Sequence, residues 1–570
     1  MNSVGSLPLS LYVKYATCSA SLGSLKAPVK LIRKHIPPIL RLRKELRREE
    51  PDGNLEYKLK LVEVPPERLE ELASQLKYRL EEGMGEAIYE LGVTDEGEIL
   101  GLDIRDLEET LKTLAAAAEK VGAKTTLIRK IHGKMGVAAE VLIRRTKEAE
   151  SFPIWLYIPV LGNVDSGKSS LVSVLVSGEL DDGNGSAMMK VARYLHEIKS
   201  RRTSSISSHP LGFDDHGETV NYRLSSPFDE AEIFLNSSKI VDFVDLGGHE
   251  RYFKTTLKGI MGHHPDYCLI TVAANTGIKP MTVEHLKVVV GLRLPMAFVV
   301  TKIDMIPQRV EKVVKDISSL VKLPKINAVP FQVKSIDDAV VAAKIMPSGR
   351  VAPIFTVSNV TGEGLSLLRI FLNLLPPRTR WKEQINRSFL AYVDDIFNVK
   401  GVGPVVSGLI LQGGVMEGDY LLLGPMKDGS FKNVRVKSIH LNRTFVKCAV
   451  AGSDVCLALA GIKIEELRKG MAMLGAEANS KAVREFEGDV FILHHPTTIR
   501  PGYQAVIHVH SVRQAAEFAE IHGKPLLRTG DRAKVRFSFL YRPEYIAEGQ
   551  KFVFREANAK GIGVITRITG

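Results

Sequence analysis

The stretch VLGNVDSGKSSL, from Val160 to Leu171, decides how the middle of this 570-residue chain folds. It follows an apolar run typical of a strand and precedes apolar residues at helical spacing. Its centre fits the pattern GxxxxGK(S/T), in which glycines let backbone N–H groups point at phosphate oxygens. In that pattern Lys168 bridges the β- and γ-phosphates, and the hydroxyl of Ser169 binds Mg²⁺. The predicted phosphate-binding loop comprises Gly162, Asn163, Val164, Asp165, Ser166, Gly167, Lys168, Ser169 and Ser170.

A second motif, VDLGGHE from Val244 to Glu250, lies at the end of another predicted strand. The carboxylate of Asp245 is placed there to hold Mg²⁺ through a water molecule. The N–H of Gly248 is available to the γ-phosphate. The two motifs together predict a nucleoside triphosphatase but do not distinguish ATP from GTP.

Two further strand ends predict that the base is guanine. VVTKID ends in Asp304, whose carboxylate can accept hydrogen bonds from N1–H and N2–H₂ of guanine, a pair of donors that adenine lacks. The aliphatic stem of Lys302 can cover the face of the base. In VSNVTG, Ser358 and Asn359 fit a loop that contacts guanine O6 through backbone N–H groups. Four motifs in this order at successive strand ends predict a GTP-binding domain.

The motif set resembles that of the translational GTPases, the family of elongation factor Tu. Segments such as RTSSIS and LKTLAAAAEKVGA also resemble one subgroup of this family, the GTP-binding proteins 1 and 2. The resemblance implies that His249, directly after Gly248, is catalytic and positions the attacking water once the ribosome orients it. It also implies that Asp165 helps to hold a monovalent cation near the phosphates.

Two elements depart from the family pattern. Thr301 stands where asparagine is commonest; it can tie the base loop to the phosphate loop but reaches guanine N7 poorly, at a cost of about 0.5–1.5 kcal/mol. The first switch, KSRRTSSIS, offers Thr203 or Ser204 as the hydroxyl that closes onto Mg²⁺. The arginines beside them either stabilise charge in the reaction or form a solvated or RNA-facing patch.

Changes of periodicity divide the chain. Strands alternate with helices from Ile154 to Leu375, which predicts a mostly parallel sheet, and short strands of period two follow. Before the phosphate loop the order β-α-β-β-α-β predicts a small, ferredoxin-like α+β domain. The predicted domains are a basic, disordered arm at 1–53, an α+β domain at 54–150, an α/β P-loop GTPase domain at 151–380, and two β-barrels at 384–476 and 480–570.

Composition limits the setting in which this chain works. The net charge of +12 favours an anionic macromolecular partner, and no run approaches the roughly 20 apolar residues of a membrane span. The four cysteines, without a CxxC pair, predict a reducing compartment. We therefore expect a cytoplasmic monomer without membrane contact. The acid-poor first fifty residues leave an organelle-targeting segment as the alternative.

The residues and the resemblance together predict a GTPase that binds GTP·Mg²⁺ and hydrolyses it to GDP and phosphate on the ribosome. The implied partners are the ribosome and tRNA or other RNA, in tRNA delivery or in rescue of stalled ribosomes and RNA surveillance. One alternative is an RNA-binding adaptor whose guanine nucleotide is structural and turned over slowly. A signalling-type GTPase is the other, disfavoured by His249 and by the two barrels.

Overall fold

The computed structural model describes residues 53–147, 152–192, 197, 203, 206–252, 256, 259, 260, 262, 264–556 and 559–569. All of the predicted arm except its last residue, and the candidate Ser204, lie outside these residues. Within the described part of the chain, no helix is long and apolar enough to cross a membrane.

The N-terminal part is a four-stranded sheet covered by two helices. The strands lie in the order first, second, fourth, third, with the first two parallel and the other pairs antiparallel. Leucine and alanine side chains from both helices pack on one face of the sheet. Its strands are Leu55–Lys58, Glu86–Leu91, Ala123–His132 and Val137–Arg145, and its helices are Pro66–Glu82 and Ile104–Lys120.

The α+β composition of this part is as predicted, but the predicted element order is wrong. The observed order is β-α-β-α-β-β. The second strand of the predicted hairpin is reduced to two isolated bridges, from Ile99 to Val93 and from Leu102 to Val137. The last strand, Val137–Arg145, has no alternating pattern because seven of its nine residues are buried. A period-two search therefore misses that strand.

A seven-stranded sheet forms the next domain and confirms the predicted mostly parallel α/β fold. The phosphate-loop strand lies fifth from one edge, and only the strand at the other edge is antiparallel. In order across the sheet the strands are Val329–Gln332, Val351–Thr356, Met296–Thr301, Cys268–Ala273, Ile154–Gly162, Lys239–Asp245 and Ser207–Phe213.

The two edge strands of this sheet were not predicted from the sequence. Ser207–Phe213 contains Pro210 and Gly212, and Val329–Gln332 contains Pro330, all poor strand formers that are tolerated at edges. The helices around the sheet are Lys168–Ser177, Ser186–Val191, Glu230–Asn236, Pro280–Gly291, Pro307–Val321, Ile336–Ile345 and Leu365–Leu374, with 3₁₀ turns at Val220–Arg223, Glu250–Tyr252 and Met346–Ser348.

Two closed six-stranded barrels follow the short helix Trp381–Ile385, as predicted. Pairing of Leu390–Tyr392 with Gly403–Gln412 closes the first barrel. The strands of this barrel, in order around it, are Leu390–Tyr392, Ala472–Gly475, Tyr420–Gly424, Lys432–Leu441, Asp454–Ala460 and Gly403–Gln412. Four short strands lie outside the ring, at Asp395–Val399, Gly414–Met416, Thr444–Val446 and Cys448–Val450, and a 3₁₀ turn lies at Ile464–Glu466. The strands of the second barrel, in order around it, are Glu485–His494, Arg532–Phe539, Val512–Ile521, Gln504–Val509, Lys551–Glu556 and Ala559–Ile568.

Buried ion pairs join the N-terminal sheet to the α/β domain. The Glu86 carboxylate lies 2.6 Å from the Arg144 guanidinium and 2.8 Å from the Lys239 ammonium. Burial alone would raise the pKa of Glu86, but the two cations outweigh it and hold that pKa below its usual range. Arg144 and Lys239 also donate to the carbonyl of Asn373, at the end of helix Leu365–Leu374.

Candidate functional site

The predicted phosphate loop adopts a conformation that needs glycine at both ends. Gly162 has φ +148°, and a Cβ there would lie 2.4 Å from the Thr271 hydroxyl. Gly167 has φ +78° and precedes the first residue of helix Lys168–Ser177. The hydroxyl of Ser166 holds the turn between them by donating to the Asn163 carbonyl at 2.8 Å. The loop therefore places its N–H groups and a helix N-terminus toward one space.

Lys168 lies within this loop, and no carboxylate of the described residues forms a salt bridge with it. Its ammonium donates to the Asn163 carbonyl at 2.9 Å. Burial lowers the pKa of Lys168 to about 8, although the nearby charges of Asp245 and Asp165 oppose the shift. A buried cation of this kind favours an anionic ligand such as a phosphate.

The three predicted metal-binding residues come together at one point. The Ser169 and Thr203 hydroxyls are 2.6 Å apart, although the residues are 34 positions apart in the chain. Burial raises the pKa of Asp245 to about 6, against the opposing effects of Ser169 and Lys168, and its Oδ1 has no hydrogen-bond partner among the described residues. Hydroxyl and carboxylate oxygens are the ligands that Mg²⁺ prefers, so these residues fit that ion.

Gly248 and His249 lie next to the phosphate loop. A Cβ on Gly248 would lie 2.4 Å from the Lys168 ammonium and 2.8 Å from the Asn163 carbonyl group. The His249 Nδ1 accepts a hydrogen bond from the Arg251 N–H at 3.1 Å, so the neutral ring carries its proton on Nε2. The ring is half-buried and lies edge-on to Tyr252, with the two centroids 6.1 Å apart.

The base-binding motifs are tied to each other and to the phosphate loop. The Thr301 hydroxyl donates to the Ser166 carbonyl at 2.8 Å, which is the contact expected of a threonine at this position. The Ser358 hydroxyl donates to Asp304 Oδ1 at 2.6 Å and orients that carboxylate. Lys302 adopts φ +58°, a left-handed conformation that places the residue at the turn between the strand and Asp304.

One cavity of about 370 Å³ brings these motifs together. Six predicted residues do not line this cavity: Gly162, Asn163, Ser166, Asp245, Thr301 and Ser358. The predicted residues that line it are Val164, Asp165, Gly167, Lys168, Ser169, Ser170, Thr203, Gly248, His249, Lys302, Asp304 and Asn359.

The cavity also has lining residues that the sequence did not point to. They belong to the loop after helix Lys168–Ser177 and to the ends of the base-binding loops. A run of Asp, Gly and Asn after the helix was the available signal, but it is typical of any turn. The additional residues are Asp181, Gly183, Asn184, Gly185, Met188, Met305 and Val360.

Three family models match successive parts of this chain. The elongation factor Tu GTP-binding domain matches residues 155–377, elongation factor Tu domain 2 matches residues 403–474, and the elongation factor Tu C-terminal domain matches residues 479–569. GTP-binding protein 2 of Homo sapiens is 45% identical over 91% of this chain and 88% of its own length. The chain belongs to the translational GTPase family.

Further proteins are similar to this translational GTPase. GTP-binding protein 1 of Xenopus laevis is 42% identical over 92% of this chain and 80% of its own length. The solved structure of the elongation factor SelB of Methanococcus maripaludis, in complex with the GTP analogue GPPNHP, has a TM-score of 0.52 and 18% identity over 74% of this chain and 80% of that chain. At that identity the solved structure shows the fold alone. The protein is a GTP-binding enzyme of the GTPase class.

Proposed function

We propose that this translational GTPase hydrolyses GTP when a ribosome positions His249, and that it acts in tRNA delivery or in the rescue of stalled ribosomes. The observation that carries the proposal is that His249 lines the same cavity as Lys168, Ser169 and Thr203. Water attacks the γ-phosphorus, the bond to the β–γ bridging oxygen breaks, and GDP and phosphate leave. An imidazole at the γ-phosphate end can hold the attacking water in line.

Each neighbouring residue has a role in this proposal. Lys168 binds the β- and γ-phosphates and neutralises charge that develops on them. Ser169, Thr203 and Asp245 would hold Mg²⁺, Asp245 through a water molecule, and the bound ion would neutralise phosphate charge. The carbonyl and carboxylate oxygens around Asp165 would hold a monovalent cation, and the left-handed backbone at Asp165, with φ +58°, brings that residue to the cavity.

Guanine selection follows from the paired base loops. The carboxylate of Asp304 would accept from guanine N1–H and N2–H₂, held for that purpose by Ser358. The backbone N–H groups at Ser358 and Asn359 would meet O6. Thr301 would act on the base indirectly, because its hydroxyl is already bound to the phosphate loop.

The proposed RNA partner is supported by charge. The chain carries a net charge of +12, and exposed cations without a salt bridge among the described residues lie on the second barrel. Phosphate groups of RNA favour such surfaces. The free cysteines Cys268, Cys448 and Cys456 suit the reducing cytoplasm that we propose as its location. Among these exposed cations are Arg484, Arg500, Arg513, Arg528, Lys534 and Arg567.

GTP turnover with and without 80S ribosomes tests the proposal. We expect slow hydrolysis alone and strong stimulation by ribosomes. His249→Ala should keep GTP affinity but lose at least about a hundredfold of the stimulated rate, the usual effect of removing one catalytic group. His132→Ala, at an exposed site on the N-terminal sheet, serves as the matched control.

Absence of stimulation would contradict the proposal. If GTP were still bound tightly under those conditions, an RNA-binding adaptor with a structural nucleotide would explain the protein better. Stimulation that His249→Ala leaves intact would keep the ribosome-dependent function and remove the role of the histidine.

A further inference from the structure

One wall of the nucleotide cavity takes no part in the phosphate or base binding described above. It belongs to residues 181–185, which we call the 181–185 loop, with Met188 beside it; all of these residues except Asp182 line the cavity. The loop follows helix Lys168–Ser177, whose first turn lies at the phosphate end, and it also reaches the base loop at Asn359. A nucleoside triphosphate extends between these two ends, and its ribose lies between base and phosphates.

The loop is held in shape by its own two carboxylates. The Asp182 Oδ1 accepts from the N–H groups of Asn184 at 2.8 Å and Ser186 at 3.2 Å, and these bonds lower the pKa of Asp182 to about 2. The Asp181 Oδ1 accepts from the Ser186 hydroxyl at 3.2 Å and the Ala187 N–H at 3.1 Å. Both carboxylates are thus engaged within the loop and its following turn.

The loop is also attached to the base-binding loop. The Asp181 N–H donates to the Asn359 carbonyl at 2.8 Å. Leu180 lies over Gly362, where a Cβ would be 3.3 Å from the leucine Cδ2. The Asn359 Oδ1 is buried and has no hydrogen-bond partner in the described part of the chain. Base loop and 181–185 loop therefore form one continuous wall with polar groups left for a ligand.

Asn184 is a second polar residue of this wall. It lies between Gly183 and Gly185, with φ +81° and φ +88°, so the backbone on both sides turns sharply. Asn184 lines the cavity, and its side chain shares a hydrogen bond with the Asp182 carboxylate, which leaves the other polar atoms of the amide for a ligand. An amide both donates and accepts, which suits a hydroxyl group better than it suits a phosphate.

We propose that Asn184 binds a ribose hydroxyl of the guanine nucleotide and makes the protein prefer ribonucleotides to deoxyribonucleotides. The proposal rests on the GTPase function given above and deepens it. Asp181 and Asp182 are positioning residues for Asn184, because their carboxylates hold the loop.

Binding of GTP, 2′-deoxyGTP and 3′-deoxyGTP to the full chain, measured by titration calorimetry, tests the proposal. The wild type should bind at least one deoxynucleotide about 3- to 10-fold more weakly than GTP, the value of one hydrogen bond. Asn184→Ala should bind GTP more weakly by the same factor and should bind that deoxynucleotide as tightly as the wild type does. Asn433→Ala, an exposed asparagine on the first barrel, is the matched control and should behave as the wild type.

Two results would overturn the proposal. Asn184→Ala could keep the full preference for GTP, or it could weaken GTP and both deoxynucleotides by the same factor while its circular dichroism stays that of the wild type. Either result would make the loop a structural element only. If the folded wild type bound none of the three nucleotides, the proposed function itself would fail, which is a different outcome from a lost preference.

Discussion

Gly248 lets two loops of the site meet because it has no side chain. Its backbone lies against the Lys168 ammonium and the Asn163 backbone, so there is no room for a Cβ. Lysine could move its flexible end, but the Asn163 backbone belongs to the phosphate loop and cannot. The glycine is therefore required by contact at this site and not by a positive φ.

Gly248→Ala tests this close approach. We expect GTP affinity to fall by at least about fivefold, because overpacking costs about 1–3 kcal/mol and displaces the lysine that we propose binds the phosphates. Fluorescence titration with a GTP analogue measures the change. Gly262→Ala is the control, since a Cβ there would meet no described atom closer than 3.7 Å. Unchanged GTP affinity in Gly248→Ala would show that the two loops can separate without cost.

Helix Pro280–Gly291 supports the phosphate loop from behind the sheet. The His285 Nδ1 accepts a hydrogen bond from the Gly162 N–H at 3.2 Å. The neighbouring Glu284 pairs with Lys560 of the second barrel at 2.5 Å. Burial, and then the charge of Lys168, lower the pKa of His285 to about 3, so the ring is a neutral acceptor at physiological pH.

The lowered pKa of His285 predicts acid sensitivity. The unfolded chain binds a proton at His285 below pH about 6.5, whereas the folded chain does so only near pH 3, so this contribution to stability is lost as pH falls between those values. When the pH is lowered from 7 to 5, the free energy of unfolding of the GTPase domain should fall by about 2 kcal/mol more in the wild type than in His285→Gln.

Urea titrations at the two pH values, followed by hydrogen exchange of the GTPase domain, measure that difference. His132→Gln, an exposed histidine on the N-terminal sheet, should follow the wild type. Equal acid sensitivity in wild type and His285→Gln would mean that the buried imidazole does not set the pH response.

At the scale of the whole molecule, buried charge joins the N-terminal sheet to the GTPase domain. Glu86 belongs to the N-terminal sheet, and Lys239 starts the strand that ends in Asp245. Arg144 binds the same carboxylate and the end of helix Leu365–Leu374. The strand that ends in Asp245, the proposed metal ligand, is therefore connected at its other end to a domain that elongation factor Tu models do not match.

Glu86→Gln should weaken the contact between these two domains. The change leaves two buried cations without their counterion, which costs about 3–5 kcal/mol when one partner of a buried pair is lost. We expect a lower thermal midpoint and faster limited proteolysis of the chain. Glu108→Gln, an exposed glutamate on helix Ile104–Lys120, should change neither. Proteolysis at the wild-type rate in Glu86→Gln would contradict the role of these ion pairs in joining the domains.

The sequence by itself determined the parts of this protein that depend on neighbouring residues. A phosphate loop needs its glycines, lysine and hydroxyl within nine positions, and the barrels and parallel sheet follow from local periodicity. The order of the last N-terminal elements could not be read in this way, because strand Val137–Arg145 is buried on both faces and lacks alternation.

Tertiary structure alone decided which distant residues meet. The Thr203 hydroxyl contacts Ser169, and the Asp181 N–H bonds to Asn359, across 34 and 178 positions of the chain. No period in the sequence records such pairs, since they arise when the carboxyl ends of parallel strands converge at one edge of the sheet. The cavity wall at residues 181–185 and the contact between Thr203 and Ser169 therefore required the fold.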